Sequence, residues 1–154
     1  MSSNSLSGAV HPSIRFARVV LTTAGTFGLI QVLPLYFAES ALNRMAPPAL
    51  THPEFYYGFI GIVVAWQIAF LIMSRDPLRY RALFPALFVE KLLWPAAVYS
   101  LYASGRLNAP STLAVGALDL IWLALFITAW ARLGAYGRSP EVRGRGFVGA
   151  TLVR

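Results

Sequence analysis

Three ionisable side chains lie inside long apolar runs, and they are the residues best suited to chemistry. Glu90 and Lys91 are adjacent within the run 83–103, and Asp119 lies inside the run 112–131. A charge in a membrane-spanning segment must be paired, hidden or used, because it costs about 2.5–3.5 kcal/mol on insertion scales. Two carboxylates and an amine placed there can form ion pairs, carry a proton or bind a polar group of a ligand.

The spacing predicts that Lys91 pairs with Asp119 or with Glu90. In antiparallel spans Lys91 and Asp119 differ in depth by about five residues, roughly 7.5 Å of helix rise, and a lysine side chain can cover much of that. One hypothesis is a buried ion pair that fixes helix register. The other is a polar cavity for a ligand or a proton, lined also by Gln67, with Gln31 as a further polar candidate.

Aromatic residues accompany these polar groups on the same two runs. Trp94 and Tyr99 follow Lys91, and Trp122 and Phe126 follow Asp119. They could wall an apolar ligand pocket, with Trp94 and Trp122 as the ligand-binding candidates. Ordinary packing between helices is the alternative explanation for such an aromatic stripe.

A second polar group precedes the run 55–73. Glu39, His52 and Glu54 are candidates for a polar site on the outer membrane face. The alternative is a local one: Thr51 and Glu54 have the spacing of a capping box that begins the next helix. A proline that follows the cap fits the first helical turn, where backbone N–H groups have no partner.

The composition excludes several classes of site. The chain has no Cys and two His, so disulfides and thiolate metal sites are excluded and a His-rich metal or haem site is not expected. No Walker loop, Rossmann glycine fingerprint, zincin helix or GxSxG elbow is present. We assign no catalytic residue and no metal site. No cofactor is predicted, although a quinone or a lipid is compatible with the apolar runs.

Four apolar runs carry these residues and place the chain in the membrane class. It is 57% hydrophobic and 12% charged, whereas soluble domains have about 25% charged residues. A cleaved signal peptide is the alternative for the first run. Inside that run, Ala24 and Gly28 form a small-xxx-small pair that favours close helix approach. Each run has nearly the length that crosses a bilayer, and they cover residues 19–37, 55–73, 83–103 and 112–131.

The distribution of Lys and Arg predicts the topology. The N-terminal tail, the turn 74–82 and the C-terminal end carry most of the arginines, whereas the intervening loops carry only Arg44 and Arg106. The positive-inside rule therefore places both termini in the cytoplasm. Short connections favour antiparallel neighbours, so we expect an all-α transmembrane four-helix bundle, up-down-up-down. This domain, 19–131, lies between an N-terminal tail, 1–18, and a basic glycine-rich tail, 132–154.

The net charge of +7 indicates a partner with negative charge. Because the arginines flank apolar runs, we expect contact with the lipid bilayer and not with nucleic acid. Arginines of the C-terminal tail, such as Arg143 and Arg145, are expected to contact anionic lipid headgroups. Four short spans make a small unit, so a homo-oligomer or a partner in a membrane complex is a further expectation.

Three short segments carry a resemblance to a known group. HPEFYYGF (52–59), RDPLRYR (75–81) and the pair Glu90-Lys91 resemble small bacterial four-helix membrane proteins, similar to the DoxX-like proteins. The resemblance covers roughly residues 15–135 and implies the four-helix architecture and a location in the bacterial inner (cytoplasmic) membrane. It supplies no catalytic residue. Some DoxX-type proteins are membrane subunits associated with quinone-linked sulfur oxidation, which implies at most an accessory role of that kind.

Three functional hypotheses follow. The leading one is a non-catalytic integral membrane protein, either an accessory subunit or a binder of a small apolar or lipid-like ligand within the bundle. The alternative is a small oligomeric transporter or proton-coupled carrier that uses Glu90, Lys91 and Asp119. The third is an intramembrane enzyme in which a carboxylate acts as general acid or base.

Overall fold

The computed structural model describes residues 10–45 and 49–140, and within them the chain is helical without a β-strand. The arginines of the predicted C-terminal tail beyond residue 140 lie outside the described residues. Two 3-10 segments, Leu33–Phe37 and Arg81–Leu83, adjoin longer helices. The α-helices of the described part are α1 (Pro12–Val32), α2 (Glu39–Met45), α3 (Pro53–Arg75), α4 (Phe84–Ala103) and α5 (Pro110–Gly137).

Four helical segments are long and apolar enough to cross a membrane, which indicates an integral membrane protein and confirms the predicted all-α class. All four carry large apolar side chains that are exposed on the protein surface, including Ile30, Ile62, Leu93 and Ile121. Soluble monomers rarely expose extended apolar surface, whereas lipid-facing helices do. The segments are Pro12–Phe37, Pro53–Arg75, Arg81–Ala103 and Pro110–Gly137.

A proline is the first or second residue of each of these long helices. Pro12, Pro53 and Pro110 are the first residues of α1, α3 and α5, and Pro85 is in the first turn of α4. A first-turn proline presets the helical φ angle and lacks an N–H that would have no partner there. The predicted capping by Thr51 is therefore wrong. The residue before α3 is His52, and it makes no side-chain capping hydrogen bond.

The helix bounds differ from the predicted runs at three places. α1 begins at Pro12, inside the stretch 1–18 predicted as a tail. α5 continues to Gly137, into the stretch 132–154 predicted as a tail. The short helix α2 lies in the region expected to be a linker, because Glu39 at its start and Arg44 in its last turn suit the helix dipole.

The chain divides into two compact units, and the first comprises Arg18–Asp76. In this α1/α3 unit the helices approach most closely at glycines of α1. A Cβ atom on Gly25 would lie 2.8 Å from the carbonyl oxygen of Gln67, and the side chain of Gln67 lies against Gly28. The close approach expected at Gly28 is thus present. The end of α3 is tied to α1 by Arg18, whose guanidinium donates to the carbonyl of Arg75 at 3.0 Å.

The second unit comprises Met1–Ala17 and Pro77–Arg154, and we call it the α4/α5 unit. Its two long helices are antiparallel neighbours, since residues early in α4 contact residues late in α5. Phe88 meets Trp130 with ring centroids 6.0 Å apart, and further along Pro95 lies against Gly116. One stripe of α4 is buried, consisting of Phe84, Leu87, Lys91, Pro95 and Val98.

Candidate functional site

Lys91 lies at the centre of the buried stripe of α4. The stripe repeats every three or four residues, which puts its members on one face of a helix. Lys91 is its one charged member, and the other four are apolar. The residue is 7% exposed. An ammonium group at such a position must have anionic or hydrogen-bonding partners, because an uncompensated buried charge is strongly destabilising.

Two carboxylates supply those partners. Lys91 Nζ lies 3.1 Å from Asp119 Oδ1 on α5 and 3.2 Å from Glu90 Oε1 on α4. The predicted pairing of Lys91 is therefore confirmed, and it involves both candidate carboxylates instead of one. Their side chains are 20% and 14% exposed. These three residues form the carboxylate–lysine cluster.

The cluster has more negative than positive charge when all three groups are ionised. Two carboxylates and one ammonium leave a net charge of −1. Glu90 Oε2 is buried and has no hydrogen-bond partner among the described residues. A buried acceptor without a partner costs about 1–3 kcal/mol, so the cluster can gain stability from one additional proton, cation or donor group.

A proline close to the cluster adds another acceptor. Pro95 lies inside α4 and has no N–H for the carbonyl of Lys91, four residues earlier. The helix continues past Pro95, and the proline packs against Gly116 of α5, where an added Cβ atom would be at an ordinary 3.6 Å from Pro95 Cα. The segment around Lys91 is therefore rich in hydrogen-bond acceptors relative to donors.

The other candidates of the apolar runs have separate surroundings. Gln67 is buried, but it belongs to the α1/α3 unit, where its side chain lies against Gly28. Gln31, also in that unit, is exposed. In the α4/α5 unit Trp94 is partly exposed, and Trp122 packs against Phe126 with ring centroids 6.5 Å apart.

The three predicted outer-face candidates do not form one site in the α1/α3 unit. His52 and Glu54 pair with each other, and Glu39 pairs with a tyrosine. His52 Nδ1 lies 3.1 Å from Glu54 Oε1, and both side chains are about two-thirds exposed, at 68% and 65%. Such an exposed pair contributes little stability. Glu39 instead accepts a hydrogen bond from the hydroxyl of Tyr57 at 2.7 Å.

Sequence reasoning missed Tyr57 as the partner of Glu39. It lies beside Tyr56, whose hydroxyl donates to the carbonyl of Leu35 at 2.6 Å. Aromatic residues at the start of a span are typical of the membrane interface, and that signal was present in the sequence. It gave no indication of which polar group each hydroxyl would meet, because α2 was not predicted.

No family model, curated protein or solved structure matches this chain. Among the described residues, the carboxylate–lysine cluster is the group with the clearest capacity for chemistry.

Proposed function

We propose that the protein is a small proton-coupled membrane carrier whose carboxylate–lysine cluster takes up and releases one proton. The observation that supports this is the buried Glu90 Oε2, which has no hydrogen-bond partner among the described residues, within a cluster of two carboxylates and one ammonium. One added proton makes the cluster electrically neutral.

Glu90 is the residue that carries this proton. Its other oxygen, Oε1, accepts from Lys91 at 3.2 Å, so a proton on Oε2 leaves that contact in place. Asp119 then balances the ammonium of Lys91 at 3.1 Å. Intramembrane carboxylates that gain and lose protons in this way are typical of pumps and transporters.

Infrared spectroscopy of the purified protein tests the proposal. The wild-type protein is expected to show the carbonyl stretch of a protonated carboxylic acid that disappears as the pH is raised. Glu90→Gln should remove this band. Glu54→Gln makes the same chemical change at an exposed glutamate and should leave the band unchanged. An identical band in the wild type and in Glu90→Gln, or no band at any pH at which the protein is folded, contradicts the proposal.

Coupled transport adds a requirement on assembly. Four short spans give little room for a solute path, so the functional unit is an oligomer of this chain. Size determination in lipid nanodiscs and in several detergents tests this. Monomers under all of these conditions would count against a carrier.

The alternative is a non-catalytic binder of a lipid-like ligand, such as a quinone or a lipid. It is favoured by the positions of Trp94 and Trp122, each three residues after a member of the cluster and therefore on a similar helix face. A ligand hydroxyl or amine could donate to Glu90 Oε2 while its apolar part lies beside the tryptophans. Mass spectrometry of the purified protein distinguishes the two, since this alternative requires a specific co-purified molecule that Glu90→Gln loses.

A further inference from the structure

The guanidinium group of Arg81 is held against the last turns of α5. Its Nε donates to the carbonyl oxygen of Trp130 at 3.1 Å, and its Cζ lies 4.4 Å from the centroid of the Trp130 ring. Gly134 provides the space for this arrangement: a Cβ atom there would lie 2.5 Å from Nη2 and 2.9 Å from Cζ of Arg81. The Trp130 carbonyl and the space left by Gly134 thus fix the position of the Arg81 guanidinium group.

This cation lies at the boundary of two apolar segments. Arg81 is the first residue of the candidate span Arg81–Ala103, and Gly134 is in the last turn of the candidate span Pro110–Gly137. A side chain at that boundary is at the depth of the lipid headgroups. Trp130 beside it fits this location, because tryptophan is enriched at membrane interfaces.

A second arginine lies on the same side of α5. Residues 130, 134 and 138 are four apart and therefore lie close together around the helix. Arg138 is exposed at the end of α5. Within the part of the chain that the structure describes, neither Arg81 nor Arg138 forms a salt bridge, so both guanidinium groups can interact with an anion.

We propose that Arg81 and Arg138 bind the phosphodiester headgroup of an anionic lipid at this end of α5. A guanidinium group presents paired N–H donors whose geometry matches phosphate oxygens. Attraction of cations to the C-terminal end of a helix dipole also favours arginine here. Attraction to the helix dipole does not require glycine at position 134. A preformed headgroup site does, because Gly134 leaves the space that holds the guanidinium group of Arg81 in one position.

The opposite face of the same helix end supplies a matched control. Arg132 is two residues from both Trp130 and Gly134, about 200° around the helix, and its Cζ lies 4.5 Å from the ring centroid of Phe16. Arg132 therefore has the same charge as Arg138, about 9 Å further into the helix, but it is not part of the proposed site. Non-specific attraction to a negative membrane surface predicts that removing either arginine lowers anionic-lipid binding.

Native mass spectrometry with equimolar phosphatidylglycerol and phosphatidylcholine measures the preference directly. The wild type should retain phosphatidylglycerol preferentially. Arg138→Gln should lower this preference about fivefold, the effect of one basic residue near an anionic lipid surface, whereas Arg132→Gln should leave it unchanged.

Gly134→Ala should lower the preference for phosphatidylglycerol similarly without changing charge, because the Cβ displaces Arg81. Gly137→Ala is its control, since a Cβ there would be at an ordinary 3.7 Å from Leu78.

Several results would overturn the proposal. They are no lipid preference in the wild type, equal losses in Arg132→Gln and Arg138→Gln, or a wild-type preference in Gly134→Ala. Displacement of the lipid by glycerol phosphate at the same concentration would show that the site binds a soluble phosphate instead. Because Gly134→Ala and Arg138→Gln perturb the site independently, poor folding of one variant leaves the other to decide.

Discussion

Removing both carboxylates from the carboxylate–lysine cluster should destabilise the protein far more than removing either one. In Glu90→Gln, Asp119 still lies 3.1 Å from the ammonium of Lys91, and in Asp119→Asn, Glu90 still lies 3.2 Å from it. Each single variant keeps one ion pair and becomes neutral without an added proton. Each should therefore lose only about 0.5–1.5 kcal/mol, because the amide oxygen can still accept from Lys91 and the loss is the difference between a charged and a neutral acceptor.

The double variant removes both carboxylates that form ion pairs with the buried ammonium of Lys91. Breaking a buried pair in this way costs about 3–5 kcal/mol. The two single losses together amount to about 2 kcal/mol, so the changes should be non-additive by about 1–3 kcal/mol. In a thermal unfolding experiment the double variant should lie on the order of 10 °C below the wild type.

The assay is the unfolding midpoint of each variant in the same detergent at one pH. A double variant Glu39→Gln with Glu54→Gln is the control, because it removes the same charge where the partners are a tyrosine hydroxyl and an exposed histidine instead of a buried ammonium. Adding Lys91→Met to the destabilised double variant should restore stability, since a neutral apolar side chain removes the uncompensated charge. Additive losses, or a triple variant no more stable than the double variant, would refute the idea that these two carboxylates share one ammonium.

Two further predictions concern the α1/α3 unit. Gly28→Ala should lower the unfolding midpoint by an amount equivalent to about 1–3 kcal/mol, because the side chain of Gln67 occupies the space of the new methyl group. Gly58→Ala is the control: a Cβ atom there meets nothing within 4 Å, so the midpoint should stay unchanged or rise. Tyr57→Phe removes the 2.7 Å hydrogen bond to Glu39 and should lower it by the equivalent of about 0.5–1.5 kcal/mol, and an unchanged midpoint would show that this bond does not stabilise α2.

The features of the fold that the lipid bilayer imposes, the long apolar helices and the pairing of buried charges, were predictable from the sequence. A bilayer requires apolar runs of about 20 residues, and the runs were visible because few charges interrupt them. The pairing of Lys91 was predictable for the same reason, since a charge in hydrocarbon must find a partner. The orientation of the helices in the membrane rests on the arginine distribution and stays a prediction.

The parts that depend on local chemistry were less predictable. The position of Pro53 in the first turn of α3 was predicted, but the side-chain cap expected from Thr51 is absent, because the residue before the helix is His52. The Arg81 contact with Trp130 could not be foreseen either. Arg81 looked like one of several arginines that set topology, and only the structure shows that Gly134 leaves space for its guanidinium.

The adjacency of Glu90 and Lys91 has a consequence for biosynthesis. α4 leaves the ribosome before α5, so Asp119, which follows Lys91 by 28 residues, reaches the membrane later than Lys91. Glu90 is then the neighbouring residue that can neutralise Lys91, and the two can enter hydrocarbon together as one pair. Once α5 arrives and Asp119 reaches Lys91, the charge of Glu90 is no longer required to hold the lysine. The residue that accompanies the lysine during insertion is thus the one to which our proposal assigns the exchanged proton.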